Sequence, residues 1–291
     1  MMETETLISI LVPLGLALIM WGLGLNLSKD DFVRVRQRPK VITVALLIQI
    51  VLVPVFAALL CWLFQLPMAL AIGLMLLAST PGGATANVFS FLAKGNVALN
   101  ITLTAINSII GIFFVPLMLA LCFKFYAQSG TAIPLQTSKL IQVVLVLLVP
   151  LLVGFAMNLR NPTLAARFEK FVTRFSVVFL VLLLVIGVSN EMELIRTGIA
   201  EIGLAVLLFN LGSMAFGFMG AWALRLDRAD TTAIVMELGI HNCALALAIA
   251  MSPMLLNNMQ MAVPAALYIV IMYITAGILT LILRKSSAAK A

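Results

Sequence analysis

Apolar stretches of about twenty residues, the length a helix needs to cross a bilayer, follow one another along this chain. Of its 291 residues 63% are hydrophobic and 10% charged, where a soluble domain has about 25% charged. The pattern predicts an all-α polytopic membrane protein of nine transmembrane helices, roughly 7–27, 41–64, 68–92, 97–122, 138–159, 175–189, 198–224, 231–256 and 262–283. Connections are short and no soluble segment stands out, so residues 1–291 read as a single membrane domain. Cys61, Cys122 and Cys243 all fall in apolar stretches. They read as packing residues, neither a disulfide framework nor a zinc site.

The net charge of +7 is explained by sidedness and does not indicate nucleic-acid binding. With the N-terminus outside, the inner links hold Lys29, Arg34, Arg36, Arg38, Lys40, Lys94, Arg160, Arg167, Lys170, Arg174, Arg225, Arg228, Arg284, Lys285 and Lys290. The outer links hold Lys124, Lys139 and Arg196, so the 18 basic residues divide 15 to 3. Positive charge gathers on the inner side of membrane proteins, which puts the C-terminus inside and requires an odd number of spans. The acidic start lacks the basic region of a removable signal peptide. With no transit peptide either, the expected location is the bacterial plasma (inner) membrane. Trp62 and Trp222, near span ends, read as interface anchors. In segment 160–174 four basic residues alternate with Leu164, Phe168 and Phe171, predicting an amphipathic helix on the inner surface against anionic lipid.

Two spans depart from the Leu/Val/Ile pattern. The third holds Ser79-Thr80-Pro81-Gly82-Gly83-Ala84-Thr85-Ala86-Asn87. The eighth holds Met236-Glu237-Leu238-Gly239-Ile240-His241-Asn242, with Ser252-Pro253 beyond. Proline removes a backbone donor and glycine loosens the backbone, so such helices unwind locally. Unwound backbone at membrane depth must be buried in protein or line a wet cavity. The breaks fall in matching positions of two halves, spans 1–4 and 5–9, and in spans of opposite direction. That is the pattern of an inverted-repeat secondary transporter. The repeats cover about 7–122 and 138–283, a 4+5 arrangement in which the first lacks its first helix. The competing reading is a pair of ordinary kinks of the sort Pro54, Pro116 and Pro150 produce.

A charged side chain at a helix centre costs ~2.5–3.5 kcal/mol on an insertion scale. Glu237 has no acidic neighbour at comparable depth and reads as a cation or proton site. The plainer reading is a protonated Glu bonded to a neighbouring helix. Gln49, Asn87, Asn100, Thr104, Asn107, Ser108 and Asn210 lie at similar depth, and Asn100, Thr104 and Asn107 share a helical face. Each alone is an interhelical hydrogen bond of ~0.6 kcal/mol. With one carboxylate they form an oxygen-rich, thiolate-free set that suits a monovalent cation better than Ca²⁺.

Pro81-Gly82-Gly83-x-x-x-Asn87, the link Ala93-Lys94-Gly95-Asn96-Val97-Ala98-Leu99, and Glu237-x-Gly239-x-x-Asn242 resemble, in their order and spacing, the bile acid:sodium symporter family and its bacterial members. The resemblance spans nearly the whole chain. It implies two crossing broken helices within a core domain, spans 2, 3, 4, 7, 8 and 9, beside a panel domain of spans 1, 5 and 6. It implies two sodium ions near the crossing. The first would be held by Asn87, Asn100, Thr104 and Glu237, with Ala86 where a small hydroxyl residue is usual and Asn100 where Ser is common. The second would be held by Gln49, Glu237 and backbone carbonyls around Leu238 and Ile240, with His241 where the family usually has Gln. His241, the one His in the chain, reads as a packed, hydrogen-bonded residue, as part of an altered second cation site, or as a proton-coupling group.

The function implied is symport of a small organic anion, a carboxylate, by alternating access. Sodium is the coupling ion, there is no other cofactor, and the partners are substrate, sodium and the lipid bilayer. Met272 and Tyr273 replace a His-Asn pair that reaches the substrate in family members. Ala84, Thr85, Asn242 and Tyr273 are the candidate substrate contacts, with Tyr273 equally an ordinary packing aromatic. No Asp lies within a span and no catalytic motif is present, so the chain does not read as an enzyme. The rival reading is a proton-coupled carrier of an organic acid that uses Glu237 and possibly His241.

Overall fold

A computed structural model describes the backbone of residues 2–127, 137–190 and 192–288. It describes the side chains of 11–83, 85–125, 141–172, 174–175, 178–179, 181–182 and 200–284. Among these residues every regular element is a helix, and the one extended pairing is a single bridge between Gly82 and His241. In order they are α1 (Met2–Asn26), α2 (Lys29–Gln37), α3 (Pro39–Leu47), a π-helical turn (Ile48–Leu52), α4 (Val53–Leu63), α5 (Met68–Ser79) and α6 (Ala84–Leu92). There follow α7 (Val97–Ala127), α8 (Thr137–Arg160), α9 (Pro162–Asn190), α10 (Met192–Ala223), α11 (Arg228–Gly239), α12 (Cys243–Met251) and α13 (Met259–Ala288). Five stretches are each long and apolar enough to cross a bilayer: Pro39–Leu63, Val97–Phe125, Ile141–Arg160, Ala200–Ala223 and Met259–Arg284. A sixth candidate is α1 with α2, bent by 60° between them. The chain is an integral, multi-pass membrane protein.

The helix breaks follow from local chemistry. Thr80 precedes Pro81, and the proline ring drives the residue before it out of the helical region. Thr80 is accordingly extended at φ −75°, ψ 145°, and α5 stops there. Helix α11 ends at Gly239, Ile240 is extended, and α12 restarts with the Asn242 carboxamide oxygen accepting from Leu245 N at 3.0 Å. Pro54 has no N–H to give the preceding turn, which widens into the π-helical turn carrying Gln49.

The two broken segments are built alike. α5 and α11 each have 12 residues, and α6 and α12 each have 9. α5 ends at Ser79 and α11 at Gly239, 160 residues on. The helices before them end in the same left-handed turn, at Gln65 (φ 48°) and Arg225 (φ 52°), again 160 apart.

Helices α1, α8 and α9 pack on one another. A Cβ on Gly24 would fall on the Leu151 carbonyl, and one on Gly154 on the Trp21 carbonyl, so α1 and α8 touch backbone to backbone. Small residues permit such close approach in a membrane. The segment 160–174 corrects one expectation. It is not a separate surface helix: α9 begins at Pro162 and runs unbroken to Asn190. Its apolar residues include Ala165 and Val172, buried against Leu25, while Phe168 packs on Trp21. That contact with α1 holds the segment upright, with Phe171 left exposed.

One end of the molecule gathers basic residues onto buried carboxylates. Asp31 accepts from Ser28 N and Oγ, Arg34 Nη1 and Thr102 Oγ1, tying α2 to α7. Asp230 accepts from Arg38 and from Asn96 Nδ2, tying the α2–α3 link and the 93–96 link to α11. Burial pushes the Asp230 carboxyl up, but the hydrogen bonds from Arg38 and Asn96 and the Arg38 charge outweigh it and leave it below its ordinary value. Lys139, Arg196, Lys285 and Lys290 lie outside the residues with described side chains. Trp62 and Trp222 are about three-quarters exposed, as membrane-interface anchors are (75% and 74%).

Candidate cation and substrate site

The breaks in the two segments meet. Gly82 bridges to His241, and Asn242 N donates to the Pro81 carbonyl at 2.8 Å. Glu237, one turn before the second break, is buried. Thr104 Oγ donates to its Oε2 at 2.5 Å and Asn107 Nδ2 to its Oε1 at 3.1 Å, while the Gly82 backbone lies against the carboxylate. A Cβ on Gly82 would stand 2.5 Å from the carboxylate atoms, so only glycine lets the backbone come so near. Among the described residues no basic group forms an ion pair with Glu237.

Two residues near Thr104 carry unpartnered oxygens. Asn100 gives its Nδ2 to the Ala233 carbonyl at 2.7 Å and leaves Oδ1 buried without a partner; Asn87 Oδ1 is likewise buried and unpartnered. Asn87, Thr104 and Ser108 border a cavity of about 20 Å³ closed on its far side by Leu23 and Asn26 of α1. That is room for about one water or one small ion. Of the four residues expected at the first ion, Thr104 is the link: it bonds Glu237 and the Asn100 carbonyl and shares the cavity lining with Asn87, while Glu237 and Asn100 do not line that cavity.

Of the residues expected at the second ion, Gln49 and His241 meet on one backbone carbonyl. The Thr80 carbonyl accepts from Gln49 Nε2 and from His241 Nδ1, each at 3.2 Å. His241 stacks on Phe209 at 5.3 Å and meets Tyr268 edge-on at 5.5 Å. Between Leu238 and Ile240, the Gly239 carbonyl is taken by Asn210 Nδ2 at 2.9 Å and Tyr268 Oη at 2.8 Å.

The expected substrate contacts are less uniform. Thr85 and Tyr273 are half-buried, and Tyr273 packs on Phe89 at 5.9 Å. Asn242 spends its oxygen on capping α12. The Ala84 side chain lies outside the described residues. Two partners were missed in the sequence. Asn107 was placed on the right helix face but not given to the ion, though its spacing of three from Thr104 signalled it. Tyr268 carried no signal, because an apolar-looking aromatic in a span shows its hydrogen bond only after folding.

A sequence model of the Sodium Bile acid symporter family matches residues 13–197. The chain belongs to that family. It is accordingly a membrane transporter and not an enzyme. Among relatives of this chain, the uncharacterized sodium-dependent transporter YocS of Bacillus subtilis is 29% identical over 90% of this chain and 79% of its own length. The probable chloroplastic sodium/metabolite cotransporter BASS1 of Arabidopsis thaliana is 29% identical over 94% of this chain and 66% of its own. The human P3 protein is 30% identical over 73% of this chain and 44% of its own.

Proposed function

We propose that this protein is a sodium-coupled symporter of a small organic anion. The observation that carries the reading is Glu237: a buried carboxylate, with no basic partner among the described residues, beside unpartnered Asn87 and Asn100 oxygens. Such a group is costly in a membrane unless a cation or proton accompanies it. Asn87, Asn100, Thr104 and Glu237 would hold sodium, with Gln49, His241 and the backbone at Leu238 and Ile240 forming the neighbouring position. The names of the Bacillus and Arabidopsis relatives support sodium as the coupling ion.

In this reading residues 1–291 form one transporter domain of nine spans. Helices α1, α8 and α9 form a panel, and the rest form a core of two inverted repeats, about 7–122 and 138–283. The equal lengths and 160-residue offset of the broken segments support the repeat. Their opposite direction is supported too. The start of α11 lies with Arg38 at the basic end, whereas a Cβ on Gly73 in α5 would fall on the Met261 carbonyl near the start of α13. The symmetric contact joins Ala233 of α11 to Asn100 near the start of α7. Sodium at Glu237 would fix the crossing, and with it the N-termini of α6 and α12, whose dipoles suit a carboxylate. Thr85, Asn242, Tyr273 and Ala84 are the substrate contacts in this scheme. Because each ligand stabilises the same arrangement, each raises the other's affinity, which is the coupling. The basic end faces the cytoplasm of a bacterium, across the inner membrane.

One observation favours a proton instead. The Thr104 hydroxyl has one proton but two acceptors, Glu237 Oε2 and the Asn100 carbonyl at 3.1 Å. A protonated Glu237 donating to Thr104 would satisfy both bonds. Thermal unfolding of purified protein in Na⁺, K⁺ or choline at matched ionic strength, from pH 5.5 to 8, separates the two. Stabilisation specific to Na⁺ and absent in Glu237→Gln is expected. No Na⁺ effect, with Glu237-dependent stabilisation on acidification, would overturn sodium coupling in favour of the proton.

A further inference from the structure

The two broken helices finish on the same device. Beside each break one backbone carbonyl receives a pair of protein donors: Thr80 O, just past the end of α5, takes Gln49 and His241, and Gly239 O, at the last residue of α11, takes Asn210 and Tyr268. A carbonyl only accepts, so the hydrogen bond places the His241 proton on Nδ1. Nε2 is buried without a partner. A second proton there would make a buried cation with no acceptor, so the ring is the neutral Nδ1–H tautomer.

A cation approaching Thr80 O would have to displace two N–H groups whose positive ends already point at it. The nearby unpartnered side-chain atoms are Gln49 Oε1 and the imidazole Nε2. The nitrogen is a poor substitute for oxygen around a hard cation. The repeat offers no second carboxylate either. The residue 160 positions before Glu237 is Leu77, fully buried and apolar. The unpartnered Asn87 and Asn100 oxygens belong to residues grouped with Thr104, which bonds Glu237.

We propose that this carrier binds one cation per cycle, at Glu237, and that the Nδ1–H of His241 occupies at Thr80 the place a second cation would take. The inference rests on the sodium-coupled reading above. Its consequence is electrical. One sodium with a monoanion carries no net charge, so loaded transport is not driven by membrane potential. Two sodium ions would carry one charge inward.

The test is equilibrium binding of ²²Na⁺ to purified wild-type protein, with Glu237→Gln as the reference for the site. One ion per chain, with a Hill slope of about one and loss of binding in Glu237→Gln, is expected. Two ions per chain would overturn the inference and leave sodium coupling standing. No binding at all would overturn the sodium-coupled reading and the inference with it. His241→Gln, which puts a carbonyl oxygen where Nε2 was, is expected to bind a second ion. A folded His241→Gln protein that still binds one would overturn the role assigned to His241. The wild-type count decides the matter even if that variant does not fold.

Discussion

Gly82 and Gly83 are neighbours with opposite expected responses to a single methyl group. A Cβ on Gly82 would stand 2.5 Å from the Glu237 carboxylate, whereas one on Gly83 would meet Thr85 Oγ at an ordinary 3.4 Å. Neither glycine has a positive φ, so backbone strain does not separate them and only space does. In Gly82→Ala the carboxylate must retreat. Overpacking of this kind costs ~1–3 kcal/mol. If half of the upper figure falls on the ion-bound state, sodium affinity drops about tenfold, the equivalent of ~1.4 kcal/mol. The assay is the unfolding midpoint across a sodium titration. Wild type and Gly83→Ala should both gain ~2.7 kcal/mol at a sodium concentration 100 times the dissociation constant. Gly82→Ala should start lower and need about ten times more sodium for the same gain. If Gly82→Ala matches Gly83→Ala in both midpoint and sodium response, the argument that Gly82 is glycine to admit Glu237 is refuted.

Tyr268→Phe removes one of two donors to the buried Gly239 carbonyl and should cost ~0.5–1.5 kcal/mol of stability while leaving the sodium-binding constant unchanged, read from the same titration. Gly24→Leu would force α1 and α8 apart and should lower the unfolding midpoint more than Gly277→Ala, where nothing lies within 4 Å of the added carbon. Asp230 titrates below its ordinary value when folded, so its contribution is complete above the unfolded carboxyl value of ~3.9 and is lost as pH falls through the lower folded one. Asp230→Asn should therefore be less stable than wild type at pH 6 by about 1 kcal/mol, a modest figure because Arg38 is 41% exposed and partly screened by water. The gap should close as pH falls through the lowered folded value, and unfolding midpoints measured from neutral into acid pH give the check.

The chain's own order of residues determined a great deal here. Long apolar runs in a bilayer can satisfy their backbone only within helices, so the helical membrane class was legible directly. Pro81, Gly82 and Gly83 act on backbone geometry within a residue or two, so the first break was legible as well, and the second was marked by Gly239 beside Glu237. The 3.6-residue repeat put Asn100, Thr104 and Asn107 on one face before any contact was known. What tertiary structure alone decided were the partners across helices. Segment 160–174 has the pattern of a surface helix, and only its packing on α1 makes it the start of α9. His241 kept three roles open because an imidazole can donate, accept or carry charge. The carbonyl that faces it comes from Thr80, 161 residues away, and a hydrogen bond that distant in the chain is settled by packing, not by local pattern. The approach of Gly82 to Glu237 belongs to the same class: the sequence supplied the room, and the crossing of two helices supplied what fills it.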